Sequence, residues 1–242
     1  MNPRNEASPS KPDILGTAML DFINGRPYEN IETRTSVAGL DELPVPYLFR
    51  AFDEMPELER KALKMAVGSV LDIGCGSGSH ALWLQEKGLE VKAIDISPGA
   101  VETCRIRDVK NAEVQDIWKL EGETFDTLLM LMNGMGICGR LEKLPDLLTK
   151  LKSLLNPGGQ ILADSSDLIY MFEDEDAETL PSDHYYGEVQ FETQYKDLRS
   201  DPFPWLYVDF HNLALHASHA GLKCEMICPG EHYDYLARLT RQ

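Results

Sequence analysis

The chain of 242 residues has no apolar run near the roughly 20 residues that span a bilayer, so a membrane-spanning helix is not expected. Its first residues, Met1-Asn2-Pro3-Arg4-Asn5-Glu6, lack the apolar stretch of a secretory signal. Basic residues are scarce, 23 Lys and Arg against 40 Asp and Glu, for a formal net charge of −17. That field repels phosphate backbones, and Arg105-Ile106-Arg107 is too short a basic cluster to offset it, so neither nucleic acid nor membrane is expected as a partner. Cysteines are few and odd in number (Cys75, Cys104, Cys138, Cys224, Cys228), which fits a reducing, cytoplasmic setting better than a disulfide framework. Cys224 and Cys228 share a strand-like segment, where residues four apart lie about 13 Å from each other, too far to share one zinc. No metal site is assigned.

What is present is an ordinary globular composition, 43% apolar and 26% charged, enough for one sizeable α/β core. Residues 1–12 are polar and carry three prolines, a pattern of disorder. Asp13–Asn24, with an apolar face from Ile14 to Ile23, predicts a first helix, and Pro46–Phe52 and Pro56–Ala66 predict two more. The segment between Pro27 and Val45 has no clear period. These N-terminal residues, 1–66, are expected as a helical cap or lid on a domain spanning 67–242.

The domain is organised around Val70-Leu71-Asp72-Ile73-Gly74-Cys75-Gly76-Ser77-Gly78, a buried strand running into a glycine turn and then a helix. Glycines there admit unusual backbone angles and let a ligand reach the main chain, while the helix start suits an anionic group. Strand and helix patterns then alternate, which implies a parallel sheet with crossover helices. Further strands are expected at Leu89–Ile94, Ala112–Gln115, Thr124–Met132 and Gln160–Asp164. The leucine stripe from Leu141 to Leu155 is a helix facing that sheet. After Asp164 the rhythm changes. An acidic run, Phe172–Glu178, reads as a solvated loop, and Tyr185–Lys196 alternates as a half-exposed strand. An insertion at about 166–207 is therefore expected before a last helix at Val208–Ala220 and two strands, Leu222–Cys228 and Tyr233–Thr240.

In an open parallel sheet, ligands bind beyond the carboxyl ends of the strands. The glycine loop, Asp95, Asp116 and Asn133 all fall at such ends. An acid after the second strand is placed to accept from a ribose diol, and one after the third from an adenine amino group, with Ile96 and Ile117 as apolar faces. A nicotinamide dinucleotide fingerprint would need glycine at Ser79 and a second mononucleotide-binding half, and the chain has neither.

This ordered set, V-L-D-I-G-C-G-S-G-S, Asp95 in A-I-D-I-S, Asp116-Ile117 and L-L-N-P-G-G-Q-I-L, resembles the class I S-adenosylmethionine-dependent methyltransferases over about Val70 to Asp164. The resemblance implies a Rossmann-like, seven-stranded, mostly parallel α/β sheet with helices on both faces and the last strand antiparallel. It implies that Gly74, Cys75, Gly76 and Gly78 pack against the methionine moiety above Asp72. Asp95 then matches the ribose acid, Asp116 and Ile117 the adenine pocket, and the backbone near Asn133 the rim beside the methyl group. The expected function is methyl transfer from S-adenosylmethionine to a small-molecule acceptor; the alternatives are a protein acceptor or a binding protein that transfers nothing. No catalytic residue is assigned, because methyl transfer needs a general base only where the acceptor must lose a proton. Tyr47 and Arg50 are candidates to fold over the cofactor, and His80 is read as packing or capping.

Overall fold

Alternation of side chains along the strands decides which helices cover which face of the sheet. We describe the chain from a computed structural model covering residues 11–172, 181 and 183–242. The acidic run at Glu173–Glu178 and the polar start at residues 1–10 lie outside the described residues.

The elements in order are helix α1 (Ile14–Ile23), strands β1 (Ile31–Thr35) and β2 (Gly39–Leu43), helix α2 (Glu57–Met65), β3 (Ser69–Ile73), α3 (Ser79–Glu86), β4 (Glu90–Asp95), α4 (Pro98–Ile106), β5 (Ala112–Val114) and β6 (Phe125–Met130). Helix α5 (Leu144–Ser153), β7 (Leu155–Ser166), β8 (Glu188–Tyr195), β9 (Leu198–Arg199), β10 (Phe203–Leu206), α6 (Phe210–His219), β11 (Leu222–Pro229) and β12 (Asp234–Arg241) complete the chain. The main sheet has seven strands in the order β11-β12-β7-β6-β3-β4-β5. Pairs β3–β4, β3–β6, β4–β5 and β6–β7 are parallel, whereas β12 runs antiparallel to both of its neighbours. The last strand is the inverted one, and the fold is the Rossmann-like sheet expected.

Both faces are covered. Leu71, Ile73, Leu128 and Met130 point to a layer with Leu144, Leu147, Leu148 and Leu151 of α5 and Leu213 and Ala217 of α6. Val70, Ala93, Leu129 and Leu162 point to the other, with Leu58, Ala62 and Leu63 of α2, Ala81 and Leu84 of α3 and Val101 and Cys104 of α4. Adjacent residues of one strand thus serve opposite cores, as a two-residue period requires.

The N-terminal region differs from the sequence expectation in two places. Pro46–Phe52 is not an α-helix but two short 3-10 turns, Val45–Phe49 and Phe52–Glu54, because the chain turns extended at Arg50 (ψ 137°). The unassigned segment after Pro27 is a hairpin, β1 with β2. Strand β1 also pairs antiparallel with β8, and β8 with β10 and β9, so the N-terminal hairpin and residues 188–206 share a second sheet. Helix α1 packs on α4 through Asp13, whose carboxylate accepts from Ser97 Oγ at 2.7 Å and the Gly99 amide at 2.8 Å.

Candidate functional site

Strand β3 ends at Ile73, and the chain then needs three left-handed residues in five: Gly74 (φ 74°), Gly76 (φ 53°) and Gly78 (φ 83°). A β-carbon on Gly78 would lie 2.8 Å from Val109 Cγ2 and 2.9 Å from Cys104 Sγ, so that glycine is required by packing as well as by angle. At Gly74 and Gly76 a β-carbon would meet nothing within 4 Å, leaving bare main chain along an open edge. The loop is pinned from both sides. Gly74 and Cys75 amides donate to Ile94 O at 2.9 and 3.1 Å, and the Gly76 amide donates to Asp95 Oδ2 at 3.0 Å.

Asp95 ends β4. Its other oxygen accepts from the Ser97 amide at 2.9 Å, and burial pushes its carboxyl above the usual range against those two bonds. Beside it Ile96 stands 75% exposed. Asp116 caps the turn after β5 by accepting from the Trp118 amide at 3.0 Å. Ile117 packs into the core at 5% exposure, and Trp118 is the apolar side chain presented at this edge, a residue that sequence reasoning passed over. Cys75 is buried with its Sγ 3.7 Å from Cys104 Sγ, and that contact together with burial pushes its thiol far up.

Two buried polar groups at the other end of this edge have atoms without partners. Asp72, 2% exposed, has an unpartnered Oδ2, and burial raises its carboxyl. Arg50, 9% exposed, donates from Nη2 to Glu59 Oε1 and Oε2 at 2.7 and 2.9 Å while Nε and Nη1 donate to nothing. Its guanidinium lies 3.5 Å over the Tyr47 ring. His80 Nε2 meets Glu59 Oε2 at 2.7 Å. Desolvation works against the His80 imidazolium, but Glu59 and Asp72 outweigh it and hold the ring's pKa above its ordinary value. The buried polar chain Arg50–Glu59–His80 therefore links the N-terminal segment to the first turn of α3. Glu59 was not singled out from sequence, although it lies beside Leu58 on the face of α2 that also buries Ala62 and Leu63.

Past β6, a cleft of about 280 Å³ opens between Tyr47, Leu58 and Glu59 on one side and Met132, Asn133, Asp164, Ser165 and Asp234 on the other. Asn133 Oδ1 accepts from Ser165 Oγ at 2.7 Å, which fixes its side chain at the cleft wall. The structure thus gathers the glycine loop and Asp95 in direct contact, sets Asp116 and Ile96 along the same edge, and puts Asn133 in the adjoining cleft.

Residues 47–200 match the family described as Methyltransferase domain. A SAM-dependent methyltransferase from Bacteroides fragilis, solved in complex with S-adenosyl-L-homocysteine, is 51% identical with a TM-score of 0.89, covering 97% of each chain. The ubiquinone biosynthesis O-methyltransferase of Xanthomonas euvesicatoria is 31% identical over 41% of this chain and 43% of its own. The tRNA U34 carboxymethyltransferase of Pseudoalteromonas translucida is 28% identical over 48% of this chain and 37% of its own. The match therefore spans about two-fifths of the length of these curated relatives. With the inverted last strand and the glycine loop in place, a family match over more than half of the sequence and a half-identical relative of equal extent leave one assignment: this chain belongs to the class I S-adenosylmethionine-dependent methyltransferases.

Proposed function

We propose that the protein transfers a methyl group from S-adenosylmethionine to a small-molecule acceptor seated in the cleft beyond β6. The observation that carries this reading is the pair of incomplete buried groups, a guanidinium with two idle donors at Arg50 and a carboxylate with one idle oxygen at Asp72. Buried polar atoms are rarely left unpaired, because each forfeits its hydration without return. One positive and one negative vacancy match the carboxylate and ammonium of an amino-acid end. Asp95, whose oxygens each take one backbone N–H, keeps lone pairs for two ribose hydroxyls. Ile96 and Trp118 offer apolar faces to the base, with Asp116 at its rim, and the open edge at Gly74 and Gly76 leaves room for a close approach to main chain. The co-complex with S-adenosyl-L-homocysteine in the half-identical relative supports the same occupant.

When bound, the sulfonium supplies a methyl group already activated for displacement. The protein's own part is to align an acceptor, exclude water and keep the pair in line, which together supply several kcal/mol. Tyr47 and Leu58 wall the cleft on the N-terminal side, and Asp234, Ser165 and Asn133 face them. The second sheet, built jointly from the N-terminal hairpin and the insertion, meets the cleft through Asn133 Nδ2, which donates to Leu206 O at 3.3 Å. A cleft of this size between two walls, in a molecule with net charge −17, supports a small, uncharged or cationic acceptor.

The test incubates the protein with methyl-labelled S-adenosylmethionine and a fractionated cell extract. Label is expected in the low-molecular-weight fraction and lost with Asp95→Ala. Label confined to protein or RNA overturns the small-molecule reading, and nucleoside binding without any labelled product makes this a binding protein.

A further inference from the structure

We propose that Asp164 is a positioning residue whose ionised carboxylate holds the Met132–Asn133 turn in the one shape that admits the cofactor; this rests on the cofactor reading above. The turn that follows β6 contains two successive non-glycine residues in the left-handed region, Met132 (φ 56°) and Asn133 (φ 58°). L-residues rarely adopt that conformation singly, and two in a row persist only where the surroundings dictate them. Here one side chain does so. The Met132 amide donates to Asp164 Oδ2 at 3.1 Å and the Asn133 amide to Oδ1 at 2.6 Å, so a single carboxylate takes both N–H groups, one on each oxygen.

The geometry follows from the sheet. Met130 and Ala163 are register partners on β6 and β7, which brings Asp164 beside the start of the turn. The next residue, Ser165, donates from Oγ to Asn133 Oδ1 and accepts from the Val208 amide at 3.0 Å, tying the turn to the chain that leaves the second sheet. Met132 is 42% exposed, and its sulfur lies 3.8 Å from Arg50 Nη2, the guanidinium with idle donors. A strained turn, braced by a carboxylate, therefore touches Arg50 and lines the acceptor cleft. Strain kept at such a place fits a shape needed for binding better than one needed for folding, since glycine would supply these angles without cost.

Asp164 is faced by Glu59 from α2 and His80 from α3, while Asp234 from β12 lines the same cleft and Arg50 contacts Met132, whose amide Asp164 holds. Burial lifts its carboxyl to about 6, opposed by the two N–H bonds and by His80. Above that value both bonds have a charged acceptor; below it one oxygen carries a proton and cannot hold its N–H in the same way.

The experiment measures S-adenosyl-L-homocysteine binding to the full chain by calorimetry from about pH 8 to about pH 5, for wild type and Asp164→Asn. At pH 8 the variant is expected to bind about tenfold more weakly, the scale of a lost charge-assisted bond. That ratio should close toward one at pH 5, where wild type is itself neutral at this position. A ratio of one throughout, or a ratio that does not change with pH, overturns the proposal. Should the variant fail to fold, amide exchange at Met132 and Asn133 in wild type replaces it. Added nucleoside should raise their protection at pH 8 and much less at pH 5, and equal protection at both overturns the proposal. Wild type that binds no nucleoside at millimolar concentration overturns the cofactor reading instead, a result separable from either of these.

Discussion

The two ends of the groove along the main sheet are finished to different degrees. At the β4–β5 end the acids are satisfied by the fold: Asp95 takes the Gly76 and Ser97 amides, and Asp116 takes the Trp118 amide. At the β3–β6 end Asp72 has one idle oxygen and Arg50 two idle nitrogens, and a buried chain through Glu59 and His80 lies between them. On the proposed cofactor reading, one end is pre-built and the other is completed by what binds. Substitutions should accordingly damage fold and binding together at the first end, and should separate them at the second.

The largest effect is expected from Asp95→Ala. Two amides lose their acceptor and the glycine loop loses its tether, so nucleoside affinity should fall about 100-fold or more with a lower melting temperature. Calorimetry and a melting curve check both halves; a variant that loses affinity without losing stability breaks the claim that this end is pre-built. Next comes Arg50→Lys, which keeps a charge near Glu59 but gives up the planar fork. Binding should weaken about tenfold, consistent with one lost charge-assisted bond, while the melting temperature changes little.

Asp72→Asn sharpens the contrast most. The Asp72 carboxyl is raised by burial, so its charge costs stability: that cost is absent below its ordinary pKa of about 3.8, grows as pH rises from there, and is complete above the higher folded value. Removing the charge should raise the melting temperature at neutral pH by a few degrees and flatten its decline with pH. Nucleoside affinity should nonetheless fall severalfold, because the amide offers a weaker acceptor to an ammonium. A variant both less stable and unaltered in binding would place Asp72 among ordinary core polar groups.

The same division explains what the sequence could disclose. The pre-built end is contiguous: Gly74 to Gly78 and Asp95 to Ser97 are short runs whose residue types are forced by a turn, a cap or a strand end, so the motif carries the geometry. The completed end is assembled from Arg50, Glu59, Met132, Asp164 and Asp234, which lie far apart along the chain and meet only through sheet order and the packing of α2. No spacing rule links them. Glu59 carries no signal of its own within the predicted helix Pro56–Ala66, and only burial reveals it as the link between Arg50 and His80. The centre of the main sheet is legible because β3 and β6 are apolar on both faces. Hairpin β1–β2 was not, because Ile31–Thr35 and Gly39–Leu43 bury almost only Ile31 and borrow their order from β8. Ile117 read as a ring face for the same reason in reverse: a 3-10 turn after Asp116 rotates it into the core and turns Trp118 outward.

The smallest effect should come from Glu225→Gln, and its smallness is the point. Glu225 has a carboxyl held down to about 2 by Lys223 and Arg238, each at 2.7 Å, on the β11–β12 edge of the main sheet. If perturbed ionisation by itself marked function, this residue would stand beside Asp72. Its partners, however, satisfy it in solvent, where ion pairs contribute little because water screens them and the long side chains lose entropy. Nucleoside affinity should be unchanged within error and the melting temperature should shift by less than about one degree at neutral pH. Lower affinity in this variant would break the comparison at its root, since it would mean that a partnered, half-buried surface acid matters as much as an incomplete buried one.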